Sequence, residues 1–369
     1  MWSIFFLLPN LSLREPVGNE HIAILPHDDL VIRRICCSSP LAKVLIEGFE
    51  NQFKRKAYPS ILVINIAAPD IVRDIEAIVG YRNAFALSTI IRAYEHRLVS
   101  RFAAFPLYSD YFDLYPITIS RDDNAFMTSS PSVLGYRADD ETNRFRGQTS
   151  PCLAGSDQFS ASPDSSIFKL LESAWERRFV RRRLGEWPTR ALFRSLEMAY
   201  QASSLPFKNH SIYDYGASNS LWVSAFEILS HPRSGKADLL SVLDLLGKYD
   251  WENNAIKRKA YKIRYRGTER RYNLVQRLYK DLYDTRNDFL HGNAVRSNRL
   301  HPFRNRSLPL ITAFAPLIYK VALLSFLDQF KSKRRKKRMD RLLEYSGKLI
   351  AESLLAKAIL KSKEQGRKG

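Results

Sequence analysis

The sequence predicts an α+β domain followed by an all-α helical bundle. Short apolar runs alternate with a few helical repeats in residues 1–146, which is typical of an α+β domain. From residue 167 onward, apolar residues recur at three- and four-residue spacing almost throughout, which predicts packed helices. Between these regions, residues 147–166 contain six serines and two prolines, a composition typical of a linker. The helical region divides into a bundle over residues 167–330 and a basic tail over residues 331–369.

The elements of the first domain follow from its apolar runs and turn residues. The pair Ser39-Pro40 predicts a helix start, because serine caps free backbone amides and proline fits the first helical position. A further helix is expected from about Pro69 to Ser100, with a break at Gly80. No active-site motif occurs in residues 1–146, so we expect a sensing or regulatory role for this domain. Short strands are expected at Trp2–Leu8, Ile22–Leu25, Leu30–Ile35, Ile61–Ile66 and Ile117–Ser120.

The second domain is predicted to contain about five bundle helices and a further amphipathic helix in the tail. The last bundle helix contains Leu308–Leu327, a run with a single charge, Lys320, and a basic segment directly after it. Such a run is compatible with a buried helix or with a membrane span. Prolines and Lys320 interrupt it, so we expect a buried helix and no membrane partner. Bundle helices are expected over residues 167–183, 188–202, 221–230, 236–247, from residue 274 into 284–292, and 309–330.

Charge is distributed unevenly along the chain. Residues 1–150 contain 16 basic and 17 acidic residues, a net charge of −1, whereas residues 151–369 contain 42 and 21, a net charge of +21. Residues 331–369 alone contribute +10, from 14 basic and 4 acidic residues. Segregated positive charge favours a polyanionic partner such as nucleic acid, and the alternative is charge that serves only solubility.

Missing motifs exclude several classes of enzyme. The chain has no GxG pair, and it lacks the P-loop, the GxSxG nucleophile motif and HExxH. Its cysteines, Cys36, Cys37 and Cys152, are odd in number and lack CxxC spacing, which favours a reduced, cytoplasmic protein without structural zinc. We therefore expect no cofactor and no metal site.

The most informative pattern lies in the segment Tyr283–Gly292. If this segment is helical, Asn287 and His291 lie four residues apart on one face, and Arg286 lies about 140° from His291. Gly292 is expected to end the helix, which places His291 in the last turn. Histidine exchanges protons near neutral pH, and arginine binds phosphate oxygens with two donors. The alternative is purely structural, with both side chains capping carbonyls or pairing with neighbouring aspartates.

This pattern resembles the Rx4–6H signature of the HEPN superfamily of helical ribonucleases and nucleic-acid-associated proteins, and within it the Apea-like branch. That branch has arginine, a polar residue and His-Gly at the end of one helix, and an earlier helix with an apolar-Glu-apolar pattern. The earlier pattern is matched by Ala225-Phe226-Glu227-Ile228-Leu229. The resemblance covers about residues 165–330. It implies a ribonuclease with a prokaryotic role in anti-phage defence, by abortive infection, or as a toxin, although silent members that bind without cutting are also implied.

A histidine, an arginine and an asparagine without metal ligands suit the cleavage of RNA by its own 2′-hydroxyl. In this interpretation His291 is the general acid–base group and Arg286 stabilises charge on the phosphate in the transition state. Asn287 orients His291 or donates to the phosphate. The products are a 2′,3′-cyclic phosphate and a 5′-hydroxyl, and DNA is not cleaved because it lacks the nucleophile.

A homodimer is expected, because one histidine cannot readily act as both base and acid. The resemblance implies pairing about a two-fold axis, which brings two copies of the motif into one cleft. Glu227 lies about 140° from Trp222 on its helix, outside the apolar face. We expect Glu227 to face solvent or to approach the dimer cleft, and Asp288 is a further candidate for that cleft.

Two basic segments near the motif are candidates for RNA binding. The downstream loop is rich in cations that suit phosphate contacts, and the upstream segment interleaves basic residues with tyrosines that suit base stacking. The alternative for the upstream segment is a solvated helix with its tyrosines in the core. The candidates are Arg296, Arg299, His301, Arg304 and Arg306 in the loop, and Lys257, Lys259, Tyr261 and Arg264 upstream.

The sequence therefore predicts a metal-independent endoribonuclease that acts on tRNA or messenger RNA. Residues 1–146 are expected to restrain it until a trigger, such as a phage-derived molecule, is bound. The alternative is a non-catalytic module that binds nucleic acid, and a third hypothesis is a membrane-anchored protein.

Overall fold

The computed structural model of the chain describes residues 2–49, 56, 58–99, 111–119, 126–128, 162–183, 185–205, 211–265, 267–328, 348, 352–353 and 355–356. The chain forms a small antiparallel sheet region followed by a mostly helical part, as the sequence predicts. Contacts group it into two compact units. Unit 1 comprises Met1–Arg82 and Ala104–Ser162, and unit 2 comprises Asn83–Ala103 and Pro163–Gly369. Residues 83–103, which the sequence analysis assigns to the first domain, thus group with unit 2.

Unit 1 is built on a sheet whose six described strands pair in the order β2-β3-β4-β1-β5-β6. All described pairings are antiparallel, and β1 lies between β4 and β5. One sheet face packs against two helices through buried Leu7, Leu25 and Val63. The strands are β1 Trp2–Leu8, β2 Val17–Gly18, β3 Ile22–Leu25, β4 Ser60–Asn65, β5 Tyr115–Ile119 and β6 Phe126–Thr128. Four of the predicted strands are confirmed by β1, β3, β4 and β5.

Two short helices cover this face of the sheet. Helix α2 spans Pro40–Glu47, and Ser39 caps it by accepting from the amide of Ala42 at 3.1 Å, which confirms the predicted start. Helix α1 spans Leu30–Ser38, so the predicted strand at Leu30–Ile35 is wrong. The run is apolar and β-branched, but the carboxylate of Asp29 caps the amide of Val31 at 2.8 Å and favours a helix start.

Helix α3 spans Ile75–Val99 without interruption, so the predicted break at Gly80 is wrong. A short 3-10 turn, Asp70–Arg73, precedes it. Glycine costs about 1 kcal/mol relative to alanine inside a helix. Buried side chains along α3, among them Tyr81, Phe85 and Ile90, offset that cost.

Unit 2 contains seven of the described α-helices, together with the C-terminal part of α3. The helical predictions for this region are confirmed, with boundaries shifted by up to three residues, except that α6 begins nine residues before its predicted start and the short helix α8 was not predicted. Helix α4 begins at Ser165, inside the predicted linker, because Asp164 caps it. A π-helical turn, Glu176–Val180, extends α4. The helices are α4 Ser165–Trp175, α5 Trp187–Ser204, α6 Ile212–Ser230, α7 Leu239–Gly247, α8 Asn254–Lys257, α9 Leu274–Leu290 and α10 Ile311–Leu327.

A β-hairpin interrupts the helices, so the prediction of an all-α bundle is corrected. Strand β7, Tyr261–Tyr265, pairs antiparallel with β8, Thr268–Tyr272. The basic, tyrosine-rich segment is therefore not a helix. Its alternation of tyrosine or isoleucine with cations has period two, which is the period of a strand.

The interior of unit 2 is formed by α5, α6, α9 and α10. An aromatic group joins three of these helices, since Phe226 lies against Tyr279 and Tyr319, with ring centroids 4.9 Å and 5.4 Å apart. Ser195 of α5 donates to the carbonyl of Ala225 at 2.7 Å and lies 2.6 Å from the hydroxyl of Tyr319. These contacts fix the part of α6 that precedes Glu227.

Helix α10 is buried along nearly its whole length, which confirms the predicted buried helix. Within the part of the chain that the structure describes, no helix is both long and apolar enough to cross a membrane. Of the tail, residues 348, 352–353 and 355–356 are described as helical, and Glu352 is buried there. Its carboxylate accepts from the hydroxyl of Tyr249 at 3.1 Å and from the amide of Asn253 at 2.6 Å.

The one basic residue of α10, Lys320, is buried between two carboxylates. Its Nζ lies 2.5 Å from Glu95 of α3 and 2.6 Å from Asp164, the residue that caps α4. Burial lowers the pKa of a lysine, but here the two carboxylates outweigh it and raise the pKa of Lys320. For Asp164 the effect of burial has the opposite sign, since burial raises the pKa of a carboxyl group. Lys320 and the hydrogen bonds from Ser166 outweigh burial and hold the pKa of Asp164 below its ordinary value.

We expect Lys320→Ala to lower the free energy of unfolding by about 3–5 kcal/mol, because it leaves two carboxylates buried without their partner. Denaturant unfolding measures this effect. Lys169→Ala, which removes an exposed lysine of α4, is the control and should change stability by less than about 0.5 kcal/mol. The contribution of Asp164 should be lost as the pH falls through its lowered pKa. Equal effects of the two lysine variants would contradict the structural role of Lys320.

Candidate active site

The predicted motif lies at the C-terminal end of α9, which packs against α6. The helix begins at a capping box formed by Asn273 and Gln276. It ends at Leu290, with His291 as the cap residue. Gly292 has φ +69°, a left-handed conformation that favours glycine, which confirms that it ends the helix. His291 therefore lies just after the last turn, not within it.

Arg286 is the centre of the site. Its Nη1 donates to Oδ1 of Asn287 at 2.9 Å, and its Nη2 lies 3.5 Å from Oε2 of Glu227 on α6. The guanidinium group also lies 5.7 Å from the ring centroid of Tyr283. Its Nε is buried without a hydrogen-bond partner among the described residues. The arginine is therefore held in place by contacts from its own helix and from α6.

Glu227 is half-buried against Arg286, so it does not face solvent freely, and its place near a dimer cleft stays a prediction. Burial raises the pKa of its carboxyl group, Arg286 lowers it in part, and Asp238 raises it further. Asp238 caps α7 through the amide of Ser241 at 3.1 Å. When ionised, Glu227 balances the charge of Arg286 where α6 meets α9. Burial at this contact disfavours the ionised form of Glu227.

Tyr279 lies on α9, on the buried side of the site. It is fully buried, and its hydroxyl has no hydrogen-bond partner within the described residues. Burial and the nearby carboxylate of Glu227 raise the pKa of Tyr279 well above its ordinary value. Tyr279, Tyr283 and Arg286 are spaced at i, i+4 and i+7, so they share one face of α9.

A glycine allows the end of α9 to approach α6 closely. A Cβ atom on Gly216 would lie 2.3 Å from the ring of Phe289, so no larger residue fits without a shift of that ring. Tyr213, one turn earlier on α6, lies against the same ring with centroids 6.1 Å apart. Tyr213 and Leu290 are 72% and 54% exposed. An apolar surface therefore lies beside His291.

The structure brings Arg286, Asn287 and Glu227 together, but it does not join His291 to them. The imidazole of His291 is exposed and makes no hydrogen bond with Arg286 or Asn287. Asn287 uses its oxygen for Arg286, so the predicted orientation of His291 by Asn287 is not observed. A substrate that contacts both Arg286 and His291 must span the end of the helix.

The downstream loop divides into paired and exposed cations. Arg299 is engaged within the chain, because its Nε lies 2.6 Å from Asp288 and its Nη2 lies 3.8 Å from Asp284, and its contact with RNA stays a prediction. Asp288 is thereby engaged within its own chain, not left free for a dimer cleft. His301 is also engaged, since its Nδ1 donates to the carbonyl of Leu308 at 2.6 Å. The residues that do face solvent are Arg296, Arg304 and Arg306.

The upstream candidates lie on α8, on the hairpin and, for Lys259, in the turn between them. Lys257 is exposed and pairs with Asp250 at 3.1 Å, and Lys259 is half-exposed. Arg264 is exposed on β7. Tyr261 is half-buried against Phe303, with ring centroids 5.5 Å apart, so the predicted role of Tyr261 in base stacking is not supported. Burial raises the pKa of this tyrosine, and Arg277 lowers it in part.

Sequence reasoning missed several residues of the site. Tyr279 and Tyr283 could have been found, because their spacing places them on the helical face of Arg286. Asp238 and Gly216 could not, because only the contact between helices brings them near the motif. Among the residues described, no three His, Cys, Asp or Glu side chains are grouped to hold a metal ion. No protein-family model matches the chain, and no curated protein or solved structure shows significant similarity to it.

The raised pKa of Glu227 predicts a pH dependence of stability. The folded state holds this proton more tightly than the unfolded state, so the contribution is present at low pH and is lost as pH rises through the raised pKa. We expect the stability of the wild type to fall relative to Glu227→Gln over that rise, as measured by urea unfolding from pH 4 to 8. Glu47→Gln, at an exposed position, should show no such trend.

Proposed function

We propose that this protein is a metal-independent endoribonuclease with its active site at the end of α9. The observation that carries the proposal is the arginine held between Glu227, Asn287 and Tyr283, five residues before an exposed histidine. A guanidinium group is always charged and binds phosphate oxygens in a planar, two-donor arrangement, and this one is part-exposed. The exposed imidazole can exchange protons with a bound molecule.

The nucleophile is supplied by the RNA itself. The 2′-hydroxyl loses its proton to a base and its oxygen forms a bond to the adjacent phosphorus, while the bond from phosphorus to the 5′-oxygen breaks. The leaving oxygen takes up a proton. His291 carries one of these proton transfers, and Arg286 stabilises the charge on the phosphate oxygens in the transition state. Asn287 holds Arg286 in the required orientation.

Two copies of the chain supply the two proton-transfer groups. Each chain contributes one His291, and a two-fold axis near the end of α9 would place both in one cleft. The exposed apolar surface of Tyr213 and Leu290 lies beside His291 and is suited to such an interface. The homodimer is therefore part of the proposal.

The setting is the one that the HEPN resemblance implies. The enzyme acts in the cytoplasm on tRNA or messenger RNA, in anti-phage defence or as a toxin. A general ribonuclease would harm its own cell, so unit 1 restrains it until a trigger binds.

A second candidate function is a module that binds RNA without cutting it. One observation favours it, namely that Glu227 and Asn287 already occupy the guanidinium group of Arg286, while the imidazole of His291 makes no hydrogen bond with either Arg286 or Asn287. In this case the exposed cations bind RNA and the motif is structural.

The test is cleavage of total RNA in EDTA by the wild type, His291→Ala and Arg286→Ala at equal concentration. We expect each substitution to lower the rate by about 10²–10⁴, because each removes a group that acts in the transition state. His27→Ala in unit 1 is the matched control and should retain full activity. The ends formed should be 2′,3′-cyclic phosphates, and 2′-O-methylated RNA should not be cut.

Two results would contradict the proposal. The first is cleavage that persists unchanged in both variants. The second is RNA binding without cleavage by the wild type after its restraint by residues 1–146 has been released. That result would support the binding module instead. Sedimentation tests the dimer, because a monomer with full activity cannot use a two-copy site.

A further inference from the structure

We propose that the hairpin β7–β8 binds the backbone of double-stranded RNA, so that the RNA recognised by this protein is folded and not single-stranded. The inference rests on the proposed function for the identity of the nucleic acid. It concerns a surface separate from Arg286 and His291, and it depends on how the hairpin distributes its side chains between two faces.

The register of the hairpin assigns each residue to a face. Tyr261 pairs with Tyr272, Ile263 with Arg270 and Tyr265 with Thr268, and directly opposite residues point to the same side. The intervening pairs point to the other side. They are Lys262 with Arg271 and Arg264 with Glu269. Three cations and one carboxylate therefore share one face, which we call the basic face.

The side chains of the basic face are exposed. Lys262, Arg264, Glu269 and Arg271 are all exposed to solvent. Glu269 pairs with Lys262 at 2.9 Å, and both side chains are more than half exposed. Arg264 and Arg271 make no ion pair among the described residues. Arg270, on the other face, is also exposed. The hairpin thus presents an excess of positive charge on a short ribbon.

The other face anchors the hairpin to unit 2. Ile263 is only 2% exposed, and Tyr261 lies against Phe303. Tyr265 and Tyr272 are half-buried on the same face. The tyrosines that would form a stacking platform for unpaired bases are therefore used for packing. A surface for single strands needs such exposed aromatic rings, and the hairpin lacks them on its basic face.

The hairpin is also well constrained. Tyr265 pairs with Thr268, so only two residues close the turn, and Gly267 has φ +80°, the left-handed conformation that tight hairpin turns require. Cations two residues apart on a strand are spaced by about 7 Å. A stiff ribbon with charges at fixed spacing suits a regular array of phosphates, and duplex RNA is recognised mainly by shape and by backbone contacts.

The anchoring contacts connect the hairpin to the candidate active site within unit 2. Phe303, which packs on Tyr261, has φ +54°, and Arg304 has φ +57°, so two successive residues are left-handed. Bulky residues adopt this conformation only when their surroundings hold them there. The amide of Phe303 donates to Asp281 of α9 at 3.0 Å. The same turn thus presents the exposed Arg304 and fixes the hairpin to the helix that carries Arg286.

The test measures binding by fluorescence anisotropy with three labelled probes of one sequence, at several salt concentrations. The probes are a 20-base-pair RNA duplex, its single strand and the corresponding DNA duplex. We expect the wild type to bind the RNA duplex at least tenfold more tightly than either other probe. Lys262→Ala/Arg264→Ala/Arg271→Ala should weaken duplex binding by about 10–100-fold. Its salt slope should also fall by roughly 3, because about one counterion is released per phosphate contact.

A matched variant removes the same charge elsewhere. Arg33→Ala/Arg34→Ala/Lys43→Ala takes three exposed cations from unit 1 and should bind the duplex as the wild type does. The hairpin positions are exposed, so the triple hairpin variant should keep its thermal unfolding midpoint. Equal loss in the two triple variants would overturn the proposal. So would equal affinity for duplex and single-stranded RNA, or for RNA and DNA duplexes.

Failure of this inference is distinguishable from failure of the proposed function. Binding through the hairpin without any cleavage of RNA would contradict the nuclease and leave the duplex site intact. Cleavage that requires His291 but is unchanged in the hairpin variant on folded RNA would support the nuclease and overturn the duplex site.

Discussion

The buried ion pairs of Lys320 are the constraint on which the rest of unit 2 depends. Helix α10 is otherwise apolar and buried, so hydrophobic burial alone would tolerate sliding or rotation along its neighbours. A buried cation with two carboxylates at 2.5 Å and 2.6 Å tolerates neither. Breaking either contact leaves a charge in a medium of low polarity, which is far more costly than a poor apolar contact. The pair therefore fixes the register of α10.

The register of α10 sets the geometry of the candidate site. Tyr319 precedes Lys320 and lies against Phe226 and Ser195. Phe226 in turn precedes Glu227, whose carboxylate meets Arg286. A shift of α10 would move Tyr319 together with Lys320. Phe226, which packs on Tyr319, would then shift Glu227 and its contact with Arg286. Hydrogen bonds and packed rings thus connect the buried ion pairs of Lys320 to the half-buried pair of Arg286 and Glu227.

The sequence predicted the features that local chemistry determines. The caps at Ser39 and Asn273 and the left-handed Gly292 follow from residues within a few positions, and two of these helix ends were foreseen. The errors arose where distant packing decided the result. Gly80 stays helical because buried side chains surround it. The error at Leu30 is an exception, because the signal that was missed is local: Asp29 caps the amide of Val31 and begins a helix. The basic, tyrosine-rich segment has an alternating pattern that indicates strands. It was interpreted as part of an all-α region because the segments on both sides of it are helical.

The site shows the same division. Arg286, Asn287 and His291 could be identified from their spacing, whereas the partners that hold Arg286 come from another helix. Arg299 and His301 looked like free cations because the sequence does not show that Asp288 and the carbonyl of Leu308 face them. Opposite charges eleven residues apart meet only because the chain turns back on α9. Charge counting therefore overstated the number of cations available to RNA in this loop.

The correction from helix to hairpin changes what the basic segment can recognise. On a helix, cations and tyrosines would share faces at irregular intervals, and a mixture of phosphate contact and base stacking would follow. On a two-stranded ribbon, period two places the tyrosines on the face that packs against the protein and Lys262, Arg264 and Arg271 on the opposite face, although the exposed Arg270 shares the face of the tyrosines. Stacking on unpaired bases is then lost and contact with an ordered phosphate backbone remains. If the chain is the ribonuclease proposed above, its reaction needs a flexible phosphodiester at the active site, and a hairpin that binds duplex RNA would then favour cleavage in the loops and junctions of folded RNA.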